Sequence, residues 1–140
     1  MNSGQKEKIA AFAVANLGKP YKYGSKPDEA PDIFDCSSFV QYIYKNIGIT
    51  LPRTALEQAH IGRKINPKSS LEVGDLIFFK GTVGRYDNKF PIGIGHVAIY
   101  IGDNKAVHAR YKKIDGGKVE YAKASKLLER KDLIIIKRII

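Results

Sequence analysis

The hydrophobic pattern of this chain changes period once, near residue 70, and that change limits the fold more than any other feature. Before it, apolar residues recur every three or four positions, as on the buried stripe of a helix. After it they come in short runs, as in strands. Ile9, Phe12, Ala13 and Leu17 share one face of a helix predicted over residues 6–17, stopped by Gly18 and Pro20. Phe39, Val40, Ile43 and Ile47 mark a second helix that runs from Asp35, a candidate N-cap, to about residue 47, with Gly48 beyond it. Thr54 heads a short third helix over residues 55–61, with Glu57 placed for a capping box. Residues 62–70 read as polar loop. Strands are predicted at 76–79, 96–101, 105–111, 118–121 and 133–140, with a helical turn over 125–128. Helices first and strands second, joined by short connections, predict an α+β domain: N-terminal helices packed on one side of a C-terminal antiparallel meander. Residues 80–95 hold four glycines and a proline and read as a long irregular loop, of a length that is usually functional.

At 140 residues the chain is the size of one domain, spanning 1–140, and long enough to bury a core without staples. A single cysteine excludes an internal disulfide and a Cys-rich zinc site. The net charge of +10 points to an anionic partner or surface, such as the polymers of a cell wall. The positive charges form no dense run, and no recognition helix, RNA-binding motif or zinc-finger spacing is present, so nucleic acid is not expected. No stretch approaches the roughly 18–20 apolar residues of a membrane span. The first residues lack the apolar core of a secretory signal, which leaves a cytoplasmic protein, another route of delivery, or a domain cut from a longer chain. No large exposed apolar face is expected, and so a monomer is.

The chemistry concentrates at Cys36 and two of the three histidines. Cys36 stands in the first turn of its helix, where the positive end of the helix dipole favours thiolate over thiol. A thiolate is a nucleophile; the bland counterpart is a small buried hydrophobe. His60, in a polar helix end, reads as exposed and without a role. His96 opens one strand and His108 lies in the next. A two-residue loop, Asp103-Asn104, would pair 99 with 108 and put the two histidines on opposite faces. A three-residue loop, Gly102-Asp103-Asn104, would pair 98 with 108 and put them on one face as diagonal neighbours, with Val97, Ile99, Ile101 and Val107 on the other as core. Small Ala98 and Ala106 beside the histidines would then leave room for a substrate. Cys36 as nucleophile, His96 as general base and His108 orienting His96 make the parts of a cysteine triad. The same three side chains would also make a three-ligand zinc set, although a helix-start cysteine suits a nucleophile better.

At these positions the chain resembles the NlpC/P60 family of cell-wall cysteine peptidases. The segments that carry the likeness are Pro20-Tyr21-Lys22-Tyr23-Gly24, Phe34-Asp35-Cys36-Ser37-Ser38-Phe39-Val40, Leu51-Pro52-Arg53-Thr54, Gly74-Asp75-Leu76-Ile77-Phe78-Phe79, and Gly95 to Gly102 followed by Val107-His108-Ala109. Their order and spacing agree from about residue 9 to residue 110. The resemblance implies a circularly permuted papain-like fold, no cofactor and no metal. It implies Cys36 as nucleophile, His96 as base, His108 as third polar member and Tyr21 as oxyanion partner, with Asp35 and Ser37 near the substrate's charged ends. It also implies a peptidoglycan stem peptide as substrate, cut between D-glutamate, through its γ-carboxyl, and a diamino acid, in the cell envelope or outside the cell. Two residues depart from the family pattern: Ser25 and Ser38 stand where glycine is usual, and both are expected to narrow the site. The loop over 80–95 is expected to act as a lid. An acyltransferase or deamidase acting on a lipid or a glutamine amide is the rival enzyme. A non-catalytic wall- or nucleic-acid-binding module is the rival outside enzymes.

Overall fold

In the computed structural model, residues 1–67, 70–82 and 84–140 are described. The first helix, α1 (Ser3–Ala15), begins three residues before the periodic stripe suggests. Asn2 is the reason: its side chain accepts from the Gln5 amide while the Gln5 side chain accepts from the Asn2 amide, a closed capping box. The second helix, α2 (Cys36–Lys45), starts as expected behind Asp35. The third, α3 (Ala55–Gln58), is a single turn rather than a helix to residue 61. Thr54 caps it by accepting from the Glu57 amide. The Glu57 carboxylate, however, takes the Thr54 hydroxyl instead of the Thr54 amide, so the expected box does not close.

Six strands follow: β1 (Arg63–Ile65), β2 (Leu76–Phe79), β3 (His96–Gly102), β4 (Lys105–Arg110), β5 (Lys118–Lys123) and β6 (Leu133–Arg138), with a short helix α4 (Ala124–Leu128) before the last. All neighbours pair antiparallel, in the order β1-β6-β2-β3-β4-β5. Strands β2 to β5 form the expected meander. Two features differ from expectation: β1 is a strand where loop was predicted, and β6 returns across the sheet to lie between β1 and β2.

The β3–β4 hairpin combines features of both registers considered from the sequence. Its loop is the two-residue Asp103-Asn104, with left-handed φ of 51° and 58°, the signature of a type I′ turn. Gly102 pairs with Lys105, but Ile101 bulges out, and beyond it Tyr100 pairs with Ala106 and Ile99 with Val107. The bulge restores the register of the three-residue loop, and His96 and His108 share a face.

The sheet is buried on both sides. Toward the helices, Val97, Ile99 and Val107 pack in one core with Ile9, Phe39 and Ile43. On the opposite face, Ala98 and Ala106 are fully buried in a second cluster with Ile77, Phe79, Ile136 and Leu127 of α4. The two alanines therefore make room for the second core rather than for a substrate, which corrects the expectation from sequence.

The last turn of the sheet is tied to its centre by charge. Asp75, buried at the start of β2, accepts from Arg138 Nε and Nη2 at 2.8 Å each and from the Glu72 amide at 2.9 Å. Removing one partner of a buried pair leaves the other uncompensated. Asp75→Ala is expected to lower stability by about 3 kcal/mol, at the low end for such pairs because Glu72 still reaches Arg138. The urea midpoint measures this, and an unchanged midpoint would show the pair to be dispensable.

Candidate active site

Asp35 sets the position of Cys36. Its Oδ1 accepts from the Ser38 amide at 2.8 Å, capping α2, and its Oδ2 accepts from the Gly24 amide at 3.0 Å. Arg53 closes the arrangement from α3's leading segment, donating to Asp35 Oδ2 at 2.7 Å, to Ser37 Oγ at 2.8 Å and to the Ser25 carbonyl at 2.6 Å. The start of α2 is thereby fixed against residues 24–25, and the thiol faces the beginning of β3. Cys36 Sγ donates to the Gly95 carbonyl at 3.8 Å, and the backbone of Val97 also reaches the sulfur. The thiol thus meets the chain on both sides of His96.

His96 Nε2 and His108 Nδ1 lie 2.7 Å apart. If His96 donates through Nε2, its Nδ1 is left as an acceptor, the form a general base requires, and His108 is the orienting member. Tyr21 joins the two halves. It lines a cavity of about 280 Å³ with Cys36, Ser37, Arg53, Arg85 and Gly95. It also lines a second, of about 240 Å³, with Gly95, His96, His108, Arg110 and Arg130. Its backbone is held by the Gly117 carbonyl at 3.0 Å. Only glycine fits at 117: φ is +92°, and a Cβ would stand 1.9 Å from the Arg110 carbonyl. Of the six residues singled out from sequence, Cys36, Asp35 and Ser37 line the first cavity, His96 and His108 the second, and Tyr21 both; Asp35 and Ser37 are bound to each other and to Arg53. Among the described residues, no group of three His, Cys, Asp or Glu side chains is arranged to hold a metal ion.

The charge state differs from the sequence expectation. Burial, then the Asp35 charge, pushes the Cys36 thiol up to about 12, against the smaller opposing pull of the Val97 and Ser37 amides. Burial outweighs the helix dipole, so the resting group is thiol and not thiolate. Burial, reinforced by His108, holds His96 well below the usual range, and burial with Arg110 brings His108 down to about 4. The resting pair is neutral thiol and neutral imidazole. Burial also raises the Tyr21 phenol, which stays a donor at all working pH.

A model of the NlpC/P60 family matches residues 18–133. The chain belongs to the NlpC/P60 family. It is 41% identical over 99 residues to the bifunctional muramidase/DL-endopeptidase CwlT of Bacillus subtilis, covering 71% of this chain and 27% of that protein. It is 37% identical over 103 residues to the gamma-DL-glutamyl hydrolase of the same organism, covering 72% and 22%. The NlpC/P60 domain of the peptidoglycan hydrolase SagA superimposes with a TM-score of 0.71 at 28% identity, covering 95% of this chain and 97% of that one. The chain thus spans about a quarter of the curated relatives and nearly all of the isolated domain.

Measured against the NlpC/P60 pattern, the two serine departures do not narrow the site. Ser25 Oγ and Ser38 Oγ lie 2.9 Å from each other, both buried, and both accept from the Asp35 amide, at 3.0 and 2.9 Å. They sit beneath the capping residue, outside both cavities, as one hydroxyl pair. Within the segment over 80–95, the part over 85–94 is also more ordered than a plain loop. Arg85 and Ile94 form an antiparallel bridge, and Asp87 accepts from the Lys89 and Phe90 amides. His60, read from sequence as exposed and without a role, is exposed but bonds this arm at Asp87 over 2.6 Å. Arg53 is the functional residue that the sequence reading missed. It was visible in Leu51-Pro52-Arg53-Thr54, but nothing local shows that its fork reaches Asp35, 18 positions earlier.

Two outcomes follow from this geometry. Because the unfolded histidines titrate near 6.5 and the folded pair lower, the unfolded state binds more protons in between. Stability is therefore full above about 6.5 and falls as pH drops toward about 4. Between pH 7 and 5, denaturant midpoints should fall further for the native chain than for His108→Gln; equal falls would contradict the buried neutral pair. For the serines, a double-mutant cycle of Ser25→Gly and Ser38→Gly should give a coupling of about 1 kcal/mol in urea titrations. Strict additivity would mean the hydroxyls do not support each other.

Proposed function

We propose that this chain is a cysteine endopeptidase of peptidoglycan, hydrolysing the amide between the γ-carboxyl of D-glutamate and a diamino acid. The observation that carries the proposal is the position of Cys36 at the head of α2, against the backbone on either side of His96, with His96 bonded to His108. The two Bacillus relatives, by name a DL-endopeptidase and a gamma-DL-glutamyl hydrolase, support the bond assignment.

Cys36 Sγ attacks the carbonyl carbon as its proton passes to His96 Nδ1. His96 becomes imidazolium and is held in orientation by His108 Nδ1. The charge that develops on the substrate oxygen is met by the Cys36 amide, which has no acceptor within the helix, and by the Tyr21 hydroxyl. His96 then protonates the leaving amine, the C–N bond breaks, and a thioester to Cys36 remains. A water that loses its proton to His96 attacks the thioester, releasing the γ-carboxylate and restoring the thiol. A neutral starting pair makes the first proton transfer part of the attack itself. The net charge of +10 suits work among the anionic polymers of a cell envelope, and the protein is proposed to act there as a monomer. No described helix is long and apolar enough to cross a membrane.

Digestion of purified muropeptides, read by mass spectrometry, tests the proposal. The native chain should release products whose masses place the cut after γ-D-glutamate, and Cys36→Ala should retain less than about a thousandth of that rate. Because His96 stays neutral well below 6.5, kcat/KM should hold into mildly acidic buffer before it declines. Intact muropeptides together with a Cys36 thiol that still alkylates would turn attention to acyl transfer or deamidation.

A further inference from the structure

Among the described residues, the cavity on the His96 side is lined by cations and by no carboxylate. His96 must deliver a proton to the departing nitrogen, so the cavity that holds His96 and His108 receives the leaving amino acid, and the cavity lined by Ser37 and Arg53 receives the acyl part. Arg110 and Arg130 line the leaving-group cavity together with Tyr111 and Thr82. The nearby acids, Glu120 and Asp132, pair with these same arginines, but incompletely. Glu120 is held by Lys112 at 2.8 Å, and Arg110 Nε stands 3.7 Å from it, too far for a hydrogen bond. Asp132 takes Nε and Nη2 of Arg130 at 2.9 and 2.8 Å, which leaves Nη1 unused by that pair. The Arg130 guanidinium also lies 4.3 Å above the Phe79 ring, so its plane is fixed.

We infer that Arg110 and Arg130 form a carboxylate-binding subsite for the leaving amino acid, so that the enzyme prefers amides whose amine component carries a free carboxylate. A guanidinium recognises a carboxylate by paired, charge-assisted bonds, and two of them lining one cavity suit an anion better than a neutral amide. Both arginines also act on the histidines, lowering His96 and His108 alike. A bound carboxylate offsets that field as His96 takes up its proton. The subsite distinguishes a stem peptide that ends at the diamino acid, or one built on a dicarboxylic diamino acid such as diaminopimelate, from peptides amidated there.

The inference rests on the γ-glutamyl hydrolase reading, and its test separates the two. Two tripeptides are compared, L-Ala-γ-D-Glu-L-Lys as the free acid and as the C-terminal carboxamide. The native chain should show kcat/KM at least about tenfold higher on the acid. Arg110→Gln should bring that ratio toward one, and Arg110→Lys should recover part of it, which a purely structural role would not do. A native ratio of one, or a ratio unmoved by Arg110→Gln, overturns the subsite while leaving the hydrolase reading intact. If neither peptide is cut, the hydrolase reading fails, and calorimetric titration of diaminopimelic acid into Cys36→Ala decides the subsite. Binding that an added Arg110→Gln weakens sustains the subsite, and no binding overturns it.

Discussion

The site depends on one carboxylate that performs no chemistry. Asp35 satisfies an amide at the start of α2, an amide of the 24–25 turn and the fork of Arg53. Together these contacts fix the first turn of α2 in position and rotation. Replacing the carboxylate would leave Arg53 facing Ser37 and a carbonyl, and the head of α2 free to fray. Arg53 therefore holds Cys36 in place at one remove, and also presents charge to the cavity that Cys36 lines.

Burial governs the electrostatics of the centre. A cysteine at a helix start is usually discussed as an activated thiolate, but here the surroundings of Cys36 oppose ionisation, as those of His96 and His108 do. Storing neither charge spares the resting protein the cost of a desolvated ion pair. In the proposed mechanism, the charges arise only as substrate is attacked. The arginines at the rim of the His96 cavity reinforce the neutral resting state.

Much of this was readable from the chain because side-chain period reports directly on the face that is buried. Helix α2 and strands β2 to β5 follow from that rule, and so does the shared face of His96 and His108; the Asp35 cap followed from residue type, and the place of Tyr21 from the family resemblance alone. What escaped is what period does not encode. Strand β1 has three residues, Arg63, Lys64 and Ile65, of which only Ile65 is buried, so it carries no pattern to detect. The place of β6 between β1 and β2 is a question of topology, and a run such as Ile134-Ile135-Ile136 suits any interior position in a sheet. The bulge at Ile101 is a subtler case. Either loop length predicts a consistent ladder, and only the left-handed pair Asp103-Asn104 together with the bulge shows that the chain adopts the shorter turn and the other register.

The hydroxyl pair beneath Asp35 makes two distant segments unequal partners. Ser25 and Ser38, 13 residues apart in the chain, touch through their hydroxyls. Without Ser38, Ser25 Oγ would keep only the Asp35 amide; without Ser25, Ser38 Oγ would keep that amide and the Asp35 carbonyl, 3.3 Å away. A buried hydroxyl at 25 therefore leans on position 38 more than 38 leans on 25, and a serine at 25 is best accommodated where 38 is serine as well.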